Sequence, residues 1–455
     1  MEMILEFLRD VLSQPALLIG IMSCVGLIAL KRPFHKIMTG TLKPILGYLM
    51  LAAGAGVIVS NLDPLGKMIE HGFHITGVVP NNEAIVAVAQ KVLGVETMSI
   101  LVVGLLMNLL IARFTKFKYV FLTGHHSLFM ACLMSAVLGT AGLSGIELIL
   151  VGGFLMGAWS AISPAIGQSY TSKVTDGDEI ALGHFGSLGY YLSAWVAKYV
   201  GKAEESTEDI EIPEKWGFLR DSTLSTALTM IVFYLIAAIA AGSEFVATLS
   251  GSMSPYLFAV MSAMNFAVGV AIVYSGVRMI LGDLIPAFQG IATKIIPNAI
   301  PAVDCAVFFT YAPTAVVLGF ISSFIGGIIG MLILGAIGGV LIIPGLVPHF
   351  FCGATAGIYG NATGGRRGAA VGAFLNGLAI TFLPALALPV LGQLGFQNTT
   401  FGDADFAVMG LVLGNAFEWI GMAGIYGVVV IAALVLIIPN FIKTKGKVIN
   451  YVEEE

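Results

Sequence analysis

The sequence predicts an all-α polytopic membrane protein with about 11 transmembrane helices and additional re-entrant segments. The first reason is composition, because 57% of the 455 residues are hydrophobic and only 11% are charged. In soluble domains about a quarter of the residues are charged. The second reason is that apolar runs near the ~20 residues needed to cross a bilayer recur along the chain. The third is an approximate internal duplication, which is common in membrane transporters.

Eleven apolar stretches are predicted to cross the membrane, at 14–31, 43–60, 98–114, 118–139, 145–165, 223–242, 255–277, 314–333, 339–361, 368–391 and 418–441. Three other stretches mix apolar residues with Gly, Pro, Asn and charges, at 61–97, 181–198 and 278–312. Because lipid-exposed irregular backbone is not tolerated in the hydrocarbon region, we expect re-entrant loops or broken helices there. Ordinary loops outside the membrane are the alternative.

Basic residues predict the orientation of the chain. They cluster at 31–43, 113–118, 366–367 and 443–447, and the positive-inside rule places such clusters in the cytoplasm. An odd number of spans then puts the N-terminus outside and the C-terminus inside. The first residues, MEMILEFLRD, lack a basic stretch before their apolar run. We therefore expect this segment to be retained rather than cleaved as a signal peptide.

Two copies of an ancestral unit are predicted, because short motifs recur at a nearly constant spacing. Pro80 and Glu83 of VVPNNEA match Pro301 and Asp304 of AIPAVDCA 221 positions later, and VGGFLMG recurs as VGAFLNG after 220. The predicted division is a first copy at 1–200, a charged cytoplasmic linker at 201–222 and a second copy at 223–455. Because the first copy holds an odd number of spans, the second would have inverted topology, and the two would enclose a site near the middle of the membrane.

Acidic and histidine side chains inside the apolar stretches are the candidate binding residues. Glu83 and Asp304 would approach a common centre from the two copies, and an ionisable residue at membrane depth usually serves a transport pathway. Their alternative role is to cap the first turn of a broken helix. His125 and His126 are neighbours, so about 100° separates them on a helix and one of the two is expected to reach a cavity. His184 follows a glycine in the second interrupted stretch.

The sequence lacks the signature motifs of several function classes. It has no CxxC, HExxH, nucleophile elbow, phosphate-binding GxxxxGKS/T motif or basic nucleic-acid patch. No catalytic residue, metal, cofactor or nucleic acid is therefore expected. The four cysteines occur singly and are expected to be buried thiols. An ion-coupled secondary transporter of a small polar solute is an alternative, in which Glu83 and Asp304 would bind H⁺ or Na⁺.

Four motifs resemble one known family: LTGHHSLF (122–129), DGDEIALGH (176–184), PNAIPAVDCAVFFTYAP (297–313) and LIIPGLVPHFF (341–351). They are similar to the ascorbate family of enzyme IIC components of the bacterial phosphoenolpyruvate-dependent phosphotransferase system. The resemblance implies a core domain, V-shaped motifs, a homodimer and a place in the bacterial cytoplasmic (inner) membrane. It also implies import of a sugar or sugar acid, with L-ascorbate as the first expectation. Phosphorylation would come from a cytoplasmic enzyme IIB carrying a phosphocysteine and supplied by enzyme IIA.

The resemblance also implies which residues bind the substrate. Its two histidines and its aspartate fall on His125, His184 and Asp304, and the polar pair of the first re-entrant region falls on Asn82 and Glu83. The predicted set is completed by the neighbours of the first histidine, His126 and Ser127.

Two positions depart from the ascorbate pattern of that family. Ascorbate transporters pair each histidine with a glutamine, where this chain has Phe129 and Phe185. The change removes a hydrogen-bond donor and acceptor and adds an aromatic face that suits the C–H surface of a sugar ring. Both phenylalanines are therefore included in the predicted substrate-binding set.

Overall fold

The computed structural model describes residues 11, 14–73, 77–80, 82–177, 180–210, 222–392 and 399–441. Most of these residues are helical. The helices are α1 (Pro15–Ala29), α2 (Phe34–Phe73), α3 (Asn82–Phe114), α4 (Gly124–Thr140), α5 (Gly145–Val174), α6 (Ser187–Val200), α7 (Ser222–Ala241), α8 (Ser243–Ser250), α9 (Pro255–Lys294), α10 (Pro313–Ala336), α11 (Leu346–Gly392), α12 (Ala404–Ile420) and α13 (Met422–Ile437). Short 3₁₀ helices occupy Cys305–Thr310 and Ile438–Phe441.

Long apolar helices make this an all-α, multi-pass membrane protein. Among the described residues, seven helical segments are long and apolar enough to cross a membrane, and the bent pair α7–α8 would be an eighth. The prolines inside α2, α9 and α11 are tolerated because neighbouring protein can satisfy the backbone groups that they free. The prediction from composition is confirmed, whereas several predicted spans have a different form.

The predicted span at 118–139 is not a single helix, and its helical part is shorter than the ~20 residues needed to cross a bilayer. Its first residues form strand β2 (Tyr119–Phe121), and its remainder is α4, which has 17 residues and is buried along nearly all of its length. Asn108 holds the extended start, because its side chain donates to the Tyr119 carbonyl (3.1 Å) and accepts from the Phe121 N–H (3.0 Å). Lipid tails are as apolar as a protein interior, so hydropathy does not distinguish a core helix from a lipid-facing one.

The helices α2 and α9 are longer than the predicted spans at 43–60 and 255–277. Each has 40 residues, which is about 60 Å at 1.5 Å per residue and about twice the hydrocarbon thickness. Residues 61–73 and 278–294, expected in interrupted stretches, instead continue these helices. The two helices begin 221 positions apart, the spacing of the repeated motifs.

Glycines let α2 and α9 pack with their backbones in contact. A Cβ atom built on Gly47 would lie 2.8 Å from the Gly276 carbonyl oxygen, and one built on Gly276 would lie 2.6 Å from that of Gly47. Gly54 and Gly269 approach each other in the same way, at 2.7 and 2.9 Å. Only residues without a side chain permit such an approach, as is common between membrane helices.

Helix α11 consists of two legs that reverse direction at Gly364–Gly365. Gly365 has a φ of 59°, outside the helical region. A Cβ on Gly360 would lie 2.4 Å from the carbonyl oxygen of Gly368, although residues eight apart in a straight helix are separated by about 12 Å. The two legs correspond to the predicted spans at 339–361 and 368–391.

The beginning of the predicted linker packs over this reversal. The Arg366 N–H donates to the Glu205 carbonyl (2.8 Å), and the Glu208 carboxylate accepts from the Thr314 N–H (3.1 Å) at the start of α10. Residues 211–221 of the linker lie outside the described residues. The described part therefore ties the end of the first half of the chain to two helices of the second half.

Two small parallel sheets also join the two halves of the chain. In the first sheet, β4 (Ile300–Val303) lies between β2 and β3 (Ala181–Leu182). In the second, β1 (Val79–Pro80) pairs with β5 (Thr399–Thr400), and Val78 also bridges to Ile342. In the first sheet the central strand comes from the second half and its neighbours from the first, and in the second sheet β1 of the first half pairs with β5 of the second. Because the strands are parallel, the segments that follow them meet at one edge of each sheet.

Candidate functional site

A cavity of about 1260 Å³ lies where the segments after these strands meet. Its polar lining includes Asn82, His125, His126, His184, Asp304 and Asp403. In the chain, Asp304 directly follows β4, His184 comes two residues after β3, and His125 comes four residues after β2. Asn82 and Asp403 likewise come two and three residues after β1 and β5. Sheet pairing therefore brings five separate chain segments to one site.

Asp304 both caps a helix and faces the cavity. Its Oδ1 accepts from the Ala306 N–H (3.0 Å) at the start of the 3₁₀ helix, while its Oδ2 lies 3.5 Å from His125 Nε2. The other ring nitrogen of His125 lies 3.2 Å from the Tyr48 hydroxyl. Tyr48, on α2, was not identified from the sequence. The capping role weighed for Asp304 is thus observed for one oxygen, whereas its role in substrate binding stays a prediction.

His126 and His184, beside His125 in the cavity lining, can each donate a hydrogen bond from a ring nitrogen. The backbone N–H of Phe185 donates to His126 Nδ1 (3.3 Å), and the backbone N–H of Gly186 donates to His184 Nδ1 (3.1 Å). Because a backbone N–H only donates, both Nδ1 atoms act as acceptors, and the neutral rings carry their protons on Nε2. The centroids of the two rings lie 3.8 Å apart, and the ring planes are tilted by 46° to each other. A ligand oxygen at this place would therefore meet N–H donors.

Asp403 is a site residue that sequence reasoning missed. It is 5% exposed, and its carboxylate accepts from Asn82 Nδ2 (2.6 Å) and from Cys352 Sγ (3.0 Å). The available signal was an acid just before the apolar α12.

Asp405 has a structural role next to the site. It is fully buried and accepts from Ser187 Oγ (2.7 Å), the Leu188 N–H (2.9 Å) and Trp159 Nε1 (3.1 Å). It thereby caps α6 from the first turn of α12. This carboxylate holds the two halves of the chain together beside His184.

The remaining predicted residues differ in their relation to the cavity. Phe129 lines it, with its ring 5.8 Å from that of His125. Phe185 is fully buried and stacks on Phe121 at 4.6 Å, so it contributes its backbone N–H rather than its ring to the site. Ser127 is also fully buried, and its hydroxyl donates to the Thr123 carbonyl. The side chain of Glu83 lies outside the described residues, so its role stays a prediction.

Two overlapping groups of side chains have the composition of a metal site. Each group places three ligand atoms within 4.8 Å of one another, and the groups are His126, His184, Asp403 and His184, Asp304, Cys305. Such donors suit Zn²⁺. However, the Nδ1 atoms of both histidines already accept backbone N–H groups, which leaves only Nε2 for a metal. The expectation that the protein needs no metal or other cofactor stays a prediction.

The fold and the site together define a class: multi-pass helical membrane proteins with a buried polar site built at helix breaks. The chain belongs to the family described as the PTS system sugar-specific permease component, whose model matches residues 10–405. It is also similar to the ascorbate-specific PTS system EIIC component of Mycoplasma pneumoniae, with 26% identity over 417 residues, covering 78% of this chain. The match spans 62% of the length of that relative.

Proposed function

We propose that the protein is the permease (enzyme IIC) of a phosphotransferase system and imports a sugar or sugar acid with coupled phosphorylation. The observation that supports this most is the convergence of polar side chains from both halves of the chain on one cavity, in a member of the sugar-specific permease family. The name of the Mycoplasma relative makes L-ascorbate the first compound to test.

The site would hold the substrate through its hydroxyl groups. The carboxylate of Asp304 would accept from a hydroxyl, and Nε2 of His126 and His184 would donate to hydroxyl oxygens. The ring of Phe129 would cover a C–H face. Glu83 would contribute from the first re-entrant region, as the resemblance implies.

Phosphorylation would occur at the cytoplasmic opening of the cavity. The phosphoryl group would leave the cysteine sulfur of enzyme IIB and bond to a substrate hydroxyl oxygen, whose proton is released. Enzyme IIA would then recharge enzyme IIB. Because phosphoryl transfer depends mainly on positioning and electrostatics, the permease would contribute substrate orientation and need not supply a nucleophile.

Transport would require the site to face each side of the membrane in turn. We propose that residues 1–200 and 223–455 are inverted copies, and that a core carrying the site moves against a scaffold of V-shaped motifs in a homodimer. The equal lengths and 221-residue spacing of α2 and α9 support the duplication. The protein would lie in the bacterial inner membrane with its N-terminus outside and its C-terminus in the cytoplasm.

Reconstitution into proteoliposomes tests this function. With phosphorylated enzyme IIB inside, external labelled substrate is expected to accumulate as its phosphate ester, and omission of enzyme IIB should abolish accumulation. Ascorbate, aldoses, alditols and aldonic acids form the panel. Accumulation of unmodified substrate driven by a H⁺ or Na⁺ gradient, without enzyme IIB, would instead support the ion-coupled transporter.

Replacement of Phe129 by glutamine is expected to change substrate preference. Phe129→Gln places a donor and an acceptor in the cavity next to His125, so ascorbate should bind at least about threefold tighter. Phe185→Gln is the matched comparison: its ring is buried away from the cavity, so it should lower stability without improving ascorbate binding. Isothermal titration of both purified variants measures this, and equal gains in the two would contradict the assignment.

A further inference from the structure

The outer face of α6 carries an exposed apolar and aromatic stripe, formed by Leu192, Trp195 and Tyr199. These side chains are 38%, 52% and 73% exposed. Because they are spaced three and four residues apart, they lie on one face of the helix. The rings of Trp195 and Tyr199 meet edge to face, with 5.5 Å between their centroids. In a membrane protein, such a stripe faces either lipid acyl chains or another protein.

The far end of this stripe is expected at the boundary between membrane and water. Helix α6 begins at Ser187, three residues after His184 of the cavity. Lys198 comes 11 residues after Ser187, which is about 16 Å at 1.5 Å per residue. Half of the hydrocarbon core is about 15 Å. If the cavity lies near the middle of the membrane, as predicted from the two copies, Lys198 lies close to the lipid headgroups. Trp and Tyr side chains are enriched at this depth.

Four basic side chains lie together at this end of α6. Lys198 is in its last turn, Lys202 follows the helix by two residues, and Arg366 and Arg367 are in the reversal of α11. All four are exposed. A Cβ atom built on Gly201 would lie 3.2 Å from the Arg367 Cβ, so the reversal packs directly against the end of α6. Lys198, Lys202, Arg366 and Arg367 are called the basic surface below.

The basic surface has an excess of positive charge. Arg366 has a carboxylate nearby, at 4.0 Å from Glu205, and the Lys198 ammonium lies over the ring of Tyr170 at 5.0 Å. Among the described residues, the other two members of the basic surface make no ion pair. Glu204 and Glu205 are the acids nearest to it in the chain, so four cations meet two acids. An anionic ligand would supply the missing negative charge.

We propose that the end of α6 and the reversal of α11 form a binding site for an anionic phospholipid. The headgroup phosphate would accept hydrogen bonds from Lys198, Lys202 and Arg367. An acyl chain would pack along Leu192 and Trp195. The site is separate from the cavity, and the proposal does not depend on which compound is transported.

A lipid fits this surface better than a protein does. A soluble protein could contact the basic surface, but it could not reach the apolar stripe at the depth of the acyl chains. A second copy of the chain in a two-fold interface centred here would bring the basic surface against itself, and like charges repel. An anionic phospholipid matches both the cations and the apolar stripe.

The test measures which lipids touch Trp195 in full-length protein reconstituted in mixed bilayers of phosphatidylcholine and phosphatidylglycerol. In each sample one of the two lipids carries brominated acyl chains, which quench the fluorescence of a tryptophan in contact with them. The chain has four tryptophans, so the signal of Trp195 is the part that is lost in Trp195→Phe. Phosphatidylglycerol is expected to bind beside Trp195 at least about threefold more strongly than phosphatidylcholine.

A variant without three of the cations tests the role of the basic surface. Combined Lys198→Gln, Lys202→Gln and Arg367→Gln should bring the ratio of the two binding constants within about 1.5-fold of one. An unchanged ratio in this variant would refute the proposal.

The matched control removes the same charge from another exposed basic cluster. Combined Lys31→Gln, Arg32→Gln and Lys36→Gln changes three exposed cations between α1 and the first turn of α2. The ratio at Trp195 should stay within about 1.5-fold of native. A loss as large as that in the first variant would mean that total charge, and not this site, attracts the lipid.

Measurements on native protein cover the case in which the variant does not fold. Raising NaCl from about 0.05 to about 0.5 M should lower the ratio at Trp195, because salt screens exposed charges, and a ratio that does not respond to salt would contradict the proposal. Equal quenching by both lipids at low salt would overturn it as well. Absence of quenching at Trp195 by either lipid would show that protein covers the stripe. Loss of the preference in the presence of millimolar glycerol phosphate would indicate a site for free phosphate esters instead of a lipid site.

Discussion

Asp304→Asn is expected to weaken substrate binding about 10- to 100-fold while the protein stays folded. The lost interaction is a charge-assisted hydrogen bond, worth about 1.5–3 kcal/mol, and each 1.4 kcal/mol changes Kd about tenfold. Asparagine caps a helix about as well as aspartate. The acceptor for the Ala306 N–H is therefore kept, and only the oxygen that faces His125 loses its charge.

The affinity for the best ligand and the thermal unfolding of the purified variant together check this expectation. Asp304→Ala is the comparison, because it removes both the charge and the cap and should lose stability as well as affinity. If Asp304→Asn binds as tightly as native protein, the carboxylate serves as a helix cap alone and is not a binding group.

Asp405→Ala is expected to lower the free energy of unfolding by about 3–5 kcal/mol. Three donors from two other helices, Ser187, Leu188 and Trp159, would lose their shared acceptor. A buried donor without a partner costs about 1–3 kcal/mol, and these costs are not expected to add fully because water can enter the space. The loss of this contact also separates the starts of α6 and α12.

Unfolding in detergent solution, followed by circular dichroism, measures this change. Asp405→Asn keeps one acceptor oxygen and should lose about half as much stability. Asp63→Ala removes an acid that is 60% exposed and paired with Lys67, and it should change stability little. A fully stable Asp405→Ala protein would mean that the three donors find other partners.

Much of the site could be predicted from single positions in the chain. Asp304, His125 and His184 each lie in an apolar stretch next to a proline or glycine break, where an ionisable side chain is costly unless it has a function. All three line the cavity. His126 could not be separated from His125 by position, and both reach the cavity. The turn of α4 that carries them borders the cavity at its N-terminal end, where neighbouring side chains both face the opening.

Other features of the site could not be predicted from the sequence, because they depend on which segments far apart in the chain come into contact. Asn82 and Asp403 are 321 positions apart, and their hydrogen bond exists because β1 pairs with β5. A phenylalanine at position 185 fits an aromatic lining as well as an apolar core. The structure shows that this ring lies in the core, where it stacks on Phe121.

The sequence by itself determined that this chain is a helical membrane protein, because burial in lipid requires long apolar segments with internally satisfied backbone. It also indicated the helix breaks and the charged and histidine residues next to them. Only the tertiary structure decided which apolar helices are surrounded by protein, how strands of the two halves pair, and that Asp403 lines the cavity while Asp405 is buried beside it. The reason is that hydropathy measures the free energy of transfer out of water, and this free energy is similar for transfer into lipid and into a protein interior. Which segments pack together depends instead on contacts between residues far apart in the chain.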